Sequence, residues 1–291
     1  MKGIVLAGGS GTRLFPLTKA ISKQLLPVYD KPLIYYPIST LMLSGVREFL
    51  IISSPRDIKS FEELLGDGKN LGVTFSYQVQ PKPNGIAEAF IIGEDFIDGN
   101  PVALILGDNI FHGVGLGAQL RQLQKTDGAQ IFAHSVRDPE NYGVIEFGTD
   151  GSTLSIEEKP KSPKSNYVVP GLYFYGSDVT ELAKLITPSH RGELEITSLN
   201  QIYLKNGNLK VTKLERGTAW FDTGTIASLS DASNYVRILE ERQGSKIACP
   251  EEISWRNNWI DDNQLLKISE TYFNSQYGNY LKQLLSTSSA F

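Results

Sequence analysis

Cysteine is almost missing from this 291-residue chain: Cys249 stands alone, so neither an intramolecular disulfide nor a cysteine zinc cluster can form. Histidine is equally scarce, and His112, His134 and His190 lie far apart with no helical pairing, which argues against a histidine metal site. Long apolar runs are lacking as well. The longest uncharged stretch of the first half, Pro32 to Val46, is interrupted by Pro37 and falls short of the ~20 apolar residues that a membrane span requires. At the N-terminus glycines intervene from Gly8 onward, before any apolar run and cleavage site of the secretory kind, so the expectation is a cytoplasmic protein without a membrane partner. Nor is there an excess of positive charge: 28 Lys and Arg against 32 Asp and Glu give a formal net charge of −4, which offers nucleic acid no general attraction.

What the chain does have is a short apolar strand, Lys2-Gly-Ile-Val-Leu-Ala7, running into Gly8-Gly-Ser-Gly-Thr-Arg13. Glycines 8, 9 and 11 leave backbone N–H groups free to approach a phosphate chain, and Arg13 adds paired donors that remain ionised. The turn is not a P-loop, because Gly11 is followed by Thr12 and Arg13 rather than by Lys and Ser or Thr. It is not a dinucleotide fingerprint either, since position 14, where a small residue belongs, is Leu14. Taken alone it reads equally as a tight turn without a ligand. The following stretch, Leu14 to Leu33, carries Pro16, Pro27 and Pro32 with little periodicity; it predicts a long ordered loop in which Lys23 is the candidate second cation.

Strand patterns at Gly3–Ala7, Phe49–Ser53, Thr74–Val79, Val102–Leu106 and Gln130–Ser135 alternate with helical patterns at Tyr36–Ser44, Asp57–Leu65, Ile86–Asp95 and Leu116–Lys125. This alternation predicts an α/β, Rossmann-like three-layer sandwich with a mostly parallel central sheet, whose ligands gather at the carboxyl ends of the strands. Beyond about Tyr142 the alternation gives way to short strands (Val144–Phe147, Asn166–Tyr175, Lys210–Leu214) and helices (Val179–Leu185, Ile196–Lys205), and Ile226–Gln243 and Tyr272–Leu285 suggest a helical C-terminal region. The expected organisation is a core over 1–225, divided near 140, followed by 226–291. Asp108, after the apolar run Val102–Gly107, and Asp222, in Trp220-Phe-Asp-Thr-Gly224, form a carboxylate pair sufficient for Mg²⁺, which takes one or two carboxylates with water and phosphate oxygens. Asp108 also reads as a turn residue capping the end of a strand.

Ordered motifs along nearly the whole chain decide among these readings. Leu6-Ala-Gly-Gly-Ser-Gly-Thr-Arg-Leu14, Pro16-Leu-Thr18, Ser22-Lys-Gln-Leu-Leu-Pro-Val-Tyr-Asp-Lys-Pro32, Gly107-Asp-Asn-Ile-Phe-His-Gly113, Tyr142-Gly143, Glu157-Glu-Lys-Pro160, Gly192-Glu-Leu-Glu-Ile-Thr197, Ala219-Trp-Phe-Asp-Thr-Gly224 and Ala248-Cys-Pro-Glu-Glu252 occur in this order. The set resembles the sugar-nucleotide pyrophosphorylases, and within them the bacterial glucose-1-phosphate thymidylyltransferases.

That resemblance implies formation of dTDP-glucose and pyrophosphate from dTTP and glucose 1-phosphate by Mg²⁺-assisted in-line attack on the α-phosphorus. Two anions must be brought together, so cations and metal must offset their repulsion. The family match assigns the Gly8, Gly9, Gly11, Thr12 and Arg13 turn to the β- and γ-phosphates, Lys23 to the α-phosphate, and Asp108 and Asp222 to the metal. Lys159 would orient the sugar phosphate, with Arg191 a second candidate. Leu6, Gly8, Gln80 and the Gly85 backbone would bind the nucleoside, and Gly143, Glu158 and Val169 the glucose. The resemblance further implies a nucleotide-binding half up to about 140, a sugar-binding insertion as the second half of the 1–225 core, and 226–291 as the region for assembly and regulation of a homotetramer inhibited by a downstream nucleotide such as dTDP-rhamnose, through a segment like Lys246–Ile253. Competing readings are a related enzyme using UTP or another triphosphate, and a catalytically silent sugar-nucleotide sensor; a nicotinamide dehydrogenase is more distant.

Overall fold

A computed structural model describes residues 1–9 and 11–287; Ser10, inside the glycine turn, and 288–291, at the end of the expected C-terminal region, lie outside the described residues. The strands in chain order are β1 (Lys2–Ala7), β2 (Pro27–Val28), β3 (Lys31–Pro32), β4 (Glu48–Ser53), β5 (Thr74–Val79), β6 (Val102–Leu106), β7 (Ile110–His112), β8 (Ala129–Ser135), β9 (Gly143–Phe147), β10 (Thr153–Glu158), β11 (Tyr167–Val168), β12 (Leu172–Tyr175), β13 (Leu209–Lys213) and β14 (Ala219–Phe221). One mixed sheet runs β10-β9-β11-β8-β12-β6-β1-β4-β5, with β13 beside β8. Its block β5-β4-β1-β6 is parallel throughout. β12 then enters antiparallel to both β6 and β8 and turns the sheet toward the second half of the molecule.

Alternation along these strands produces the three layers. Ile4, Leu50, Ile52, Val102 and Leu104 point to one apolar cluster; their neighbours Val5, Phe49, Ile51, Ala103 and Ile105 point to the other. Burial on both faces is why these strands read as continuous apolar runs rather than as alternating ones. Helices Glu88–Ile92, Val179–Lys184 and Ile196–Lys205 contribute to the first cluster. Tyr35–Leu43 and the C-terminal helices Pro250–Arg256, Asp262–Thr271 and Gln276–Thr287 close the second. A third cluster joins Leu14, Val28 and Leu33 to Leu229, Ala232 and Val236 of helix Ile226–Gln243, which explains why the long proline-bearing loop is ordered.

Several expected elements differ in extent. Helix Ile86–Asp95 is two short helices, Glu88–Ile92 and Glu94–Ile97, separated at Gly93, where an added Cβ would come within 3.0 Å of Leu50. The strand expected over Asn166–Tyr175 divides into β11 and β12 around Val169-Pro-Gly171, because Pro170 has no N–H for a ladder. The last helix begins at Gln276 rather than Tyr272, after a turn in which Phe273 has φ 50°. Leu116–Lys125 starts as an α-helix and tightens to a 3₁₀ turn after Arg121.

Candidate active site

Adjacent parallel strands deliver the first half of the site. Leu6 of β1 is in register with Leu106 of β6, and the Gly107 N–H donates to the Leu6 carbonyl at 2.9 Å, so the glycine turn and Asp108 leave the sheet side by side. A Cβ on Gly107 would lie 3.1 Å from that same carbonyl, which explains the glycine. Asp222 arrives through a short antiparallel pairing: β14 lies on β7 with Phe221 opposite Ile110, and the Thr223 hydroxyl donates to the Asp108 carbonyl at 2.7 Å. The two aspartates, 114 positions apart by their numbers, are thus tied together at one corner.

A cleft of about 480 Å³ is lined by Leu6, Gly8, Gly9, Arg13, Gln80, Gly85, Asp108, Gly143, Glu158, Lys159, Val169, Arg191 and Asp222. An adjoining cavity of about 320 Å³ is lined by Gly11, Thr12 and Lys23 together with Gly8, Gly9, Arg13 and Asp108, which border both spaces. Every residue that the sequence marked for the site therefore borders one or the other. In the glycine turn Gly9 (φ 104°) and Gly11 (φ 59°) take left-handed conformations, and the Thr18 hydroxyl fastens the Gly11 carbonyl at 2.6 Å.

Charge is arranged in pairs around this space. Lys23 forms a short ion pair with Asp108, whose other oxygen accepts from the Asn109 amide at 2.8 Å. Asn109 is itself held by the Gly171 N–H at 3.1 Å and the Trp220 indole at 2.6 Å. Arg13 and Asp222 both flank Gly224, where a Cβ would sit 3.4 Å from the guanidinium and 3.3 Å from the carboxylate. The Tyr142 hydroxyl donates to Asp222 at 3.1 Å; burial first, and then the Asp222 charge, raise its pKa, so it stays protonated and keeps donating.

On the far wall β9 and β10 place Gly143 opposite Glu158. Glu158 accepts from the Thr197 hydroxyl at 2.5 Å and lies 3.5 Å from the Lys159 ammonium. Lys159 has φ 44° and Thr223 φ 40°, left-handed values for non-glycine residues that cost of order 1–3 kcal/mol each and occur where the surroundings enforce them. Arg191 is gripped by Glu195 through Nε at 3.1 Å and Nη2 at 2.8 Å, with Glu193 at 3.0 Å and Glu158 at 3.7 Å. Burial opposes its charge, but the Glu195 hydrogen bonds and the acids around them outweigh that and raise its pKa.

Gln80 can do less than its side chain allows. Both amide hydrogens are engaged, by the Gly85 carbonyl at 3.2 Å and by Glu88 at 2.7 Å, while Oε1 faces the Gly8 position at 3.2 Å. Toward the cleft it therefore offers an acceptor, suited to an imide N–H. Asn109, Tyr142, Thr197, Trp220, Glu193 and Glu195 also border the cleft, without a role assigned to them from the sequence. All six lie inside the motif strings, so the strings were the available signal; what each touches depends on the folded loops.

Among the described residues no group of three or more His, Cys, Asp or Glu could hold a metal. Asp108 and Asp222 are a sparse, all-oxygen pair, the donor set that leaves room for water and substrate phosphate around a hard divalent cation.

The nucleotidyl transferase family model matches residues 2–237. The glucose-1-phosphate thymidylyltransferase of Mycobacterium tuberculosis H37Rv is 57% identical over 285 residues, 98% of this chain and 99% of the relative. That of Neisseria meningitidis serogroup A is 54% identical, with 98% and 99% covered. Among solved structures, a Bacillus anthracis protein described as a glucose-1-phosphate thymidylyltransferase, in complex with sucrose, superposes with TM-score 0.75 at 41% identity, over 81% of this chain and 95% of that one. A UDP-glucose pyrophosphorylase bound to UDP-glucose gives TM-score 0.71 at 28% identity, over 81% and 98%.

Proposed function

The chain belongs to the nucleotidyl transferase family, and on that premise we propose that its cleft joins dTTP to α-D-glucose 1-phosphate, releasing pyrophosphate and dTDP-glucose. It is an enzyme, a nucleotidyltransferase. The observation that carries the reading is the convergence of Arg13, Lys23, Lys159 and Arg191, from separate segments, with Asp108 and Asp222 around one pair of connected cavities.

In this reading the Gly8–Arg13 turn and Arg13 hold the β- and γ-phosphates and stabilise the departing pyrophosphate, and Lys23 faces the α-phosphate. Lys159 and Arg191 orient the sugar phosphate for in-line attack, while Gln80, Gly85, Leu6 and Gly8 hold the nucleoside. Gly143, Glu158 and Val169 hold the glucose, with the Glu158 carboxylate accepting from its hydroxyls. Asp108 and Asp222 would hold a divalent ion, proposed as Mg²⁺, which when bound supplies positive charge to the phosphoryl oxygens. Lys23, already paired with Asp108, must share that carboxylate with the ion.

The test is pyrophosphate release from dTTP and glucose 1-phosphate, with UTP, ATP and CTP in competition. Preference for dTTP supports the reading, and preference for UTP supports the uridylyl alternative favoured by the likeness to UDP-glucose pyrophosphorylase. Binding without turnover would identify a sensor instead. Further proposals are a cytoplasmic homotetramer, 226–291 as its assembly region, and feedback by dTDP-rhamnose at Lys246–Ile253. Among the described residues no helix is long and apolar enough to cross a membrane. Sedimentation, and initial rates across a range of dTDP-rhamnose concentrations, check the assembly and the feedback.

A further inference from the structure

Lys23, Lys159 and Arg191, three cations assigned above to substrate phosphate, each meet a carboxylate of the chain itself. The acids on Arg191 differ in kind. Glu195, its side chain only 10% exposed, grips the guanidinium through two nitrogens and sets its orientation. Glu193, 37% exposed, reaches Nη2 at 3.0 Å. Glu193 also borders both the main cleft and the cavity beside the glycine turn. A carboxylate on the wall of a space that must admit two polyanions opposes their entry by simple Coulomb repulsion.

Its position is not that of a loose side chain on a free loop. The Gly192 N–H donates to Ser189 O at 2.8 Å, and the Ser189 N–H to Glu193 O at 2.9 Å. The next residue is strapped across the cleft: the Leu194 N–H donates to Asn84 O at 2.6 Å, and Leu194 O accepts from the Ala87 N–H at 3.1 Å. An acid is thus presented at the meeting point of the sugar-side and nucleoside-side loops, against a guanidinium oriented by a second acid.

We propose that Glu193 is a positioning residue that stands in for the sugar phosphate, occupying Arg191 until that phosphate displaces it and so keeping free phosphate and pyrophosphate off the guanidinium. The inference rests on the assignment of Arg191 to the sugar phosphate. The exchange replaces one anion by another at a charge that Glu195 holds in place, and the exposure of Glu193 lets it move to water.

Glu193→Gln keeps the size and removes the charge. Its expected effects are a two- to five-fold lower KM for glucose 1-phosphate and two- to five-fold tighter calorimetric binding of inorganic pyrophosphate, the size of a part-exposed ion pair. Both gains should vanish in an Arg191→Ala background. Unchanged or weaker pyrophosphate binding in a Glu193→Gln protein with wild-type melting temperature overturns the proposal, as does an equal gain in the Arg191→Ala background. The calorimetry does not depend on turnover: wild-type protein that makes no dTDP-glucose refutes the proposed function, whereas Glu193 is judged by the pyrophosphate titration.

Discussion

The wall at the ends of β1 and β6 presents mainly backbone, at Gly8, Gly9, Gly11 and Gly107, beside the Lys23–Asp108 pair, whereas the wall built by β9, β10 and the 189–197 segment relies on ionised side chains matched to one another. The first wall is set mainly by space, since Cβ atoms at Gly8, Gly11 and Gly107 would come within 3.1–3.2 Å of neighbours. The second is set mainly by charge, and an incoming anion there would compete with partners already present. One wall should therefore fail through steric change and the other through loss or gain of charge.

The largest effect is expected where the walls meet. Asp222→Ala and, on the sugar side, Lys159→Ala should each lower kcat by about 10²–10³-fold, the scale of a lost transition-state electrostatic contact, with melting temperatures moving by no more than about 4 °C. Initial rates and thermal melts together check this.

Gly85→Ala tests the backbone principle. At φ +112° its Cβ would lie 2.4 Å from the Leu194 carbonyl, inside the strap that joins the walls. A stability loss of about 2 kcal/mol or more in urea, with KM raised for both substrates, is the expected outcome.

Thr197→Val tests the other wall alone. Without the hydroxyl donor to Glu158, KM for glucose 1-phosphate should rise about ten-fold, the worth of a hydrogen bond to a charged group, while KM for dTTP moves by less than about two-fold. Equal changes for both substrates would break the separation of the walls.

The smallest effect concerns pH. Burial depresses the pKa of His112 and of His134, the latter packed against Trp220, below the usual 6.5. The unfolded chain then takes up protons first, so this contribution to stability is full above pH 6.5 and is lost as pH falls through the folded-state values. Melting temperature should decline between pH 7 and 5, and less steeply in a His112→Gln, His134→Gln double variant.

Legibility followed the same divide. β1, β4 and β6 were readable because buried parallel strands announce themselves as apolar runs ending in glycine or polar residues, and the edge strand β5 because Phe75, Tyr77 and Val79 alternate with polar residues. Helix Ile226–Gln243 was readable to the residue, with Thr225 and Ser228 forming a capping box and Gly244 (φ 66°) ending it. The β7–β14 pairing was not, since two three-residue strands over a hundred positions apart carry no local pattern. Most candidate site residues lie in contiguous motifs, with Gln80, Gly85, Val169 and Arg191 outside them, and together they border two adjoining cavities. Which acid neutralises which base came only from the fold: Glu193 and Glu195 sit two positions apart in one motif, yet one is buried and bidentate while the other borders both cavities. Helices Pro250–Arg256 and Asp262–Thr271 also escaped the sequence reading, being short and closed by packing on helix Tyr35–Leu43 and on one another.

The most direct measurement follows dTDP-glucose formation from dTTP and glucose 1-phosphate in wild type and Asp222→Ala, with Mg²⁺ and with excess chelator. Product from the wild type with Mg²⁺ alone, and almost none in the other three reactions, is the expected outcome. Equal turnover by folded Asp222→Ala, or by the wild type in chelator, would contradict it.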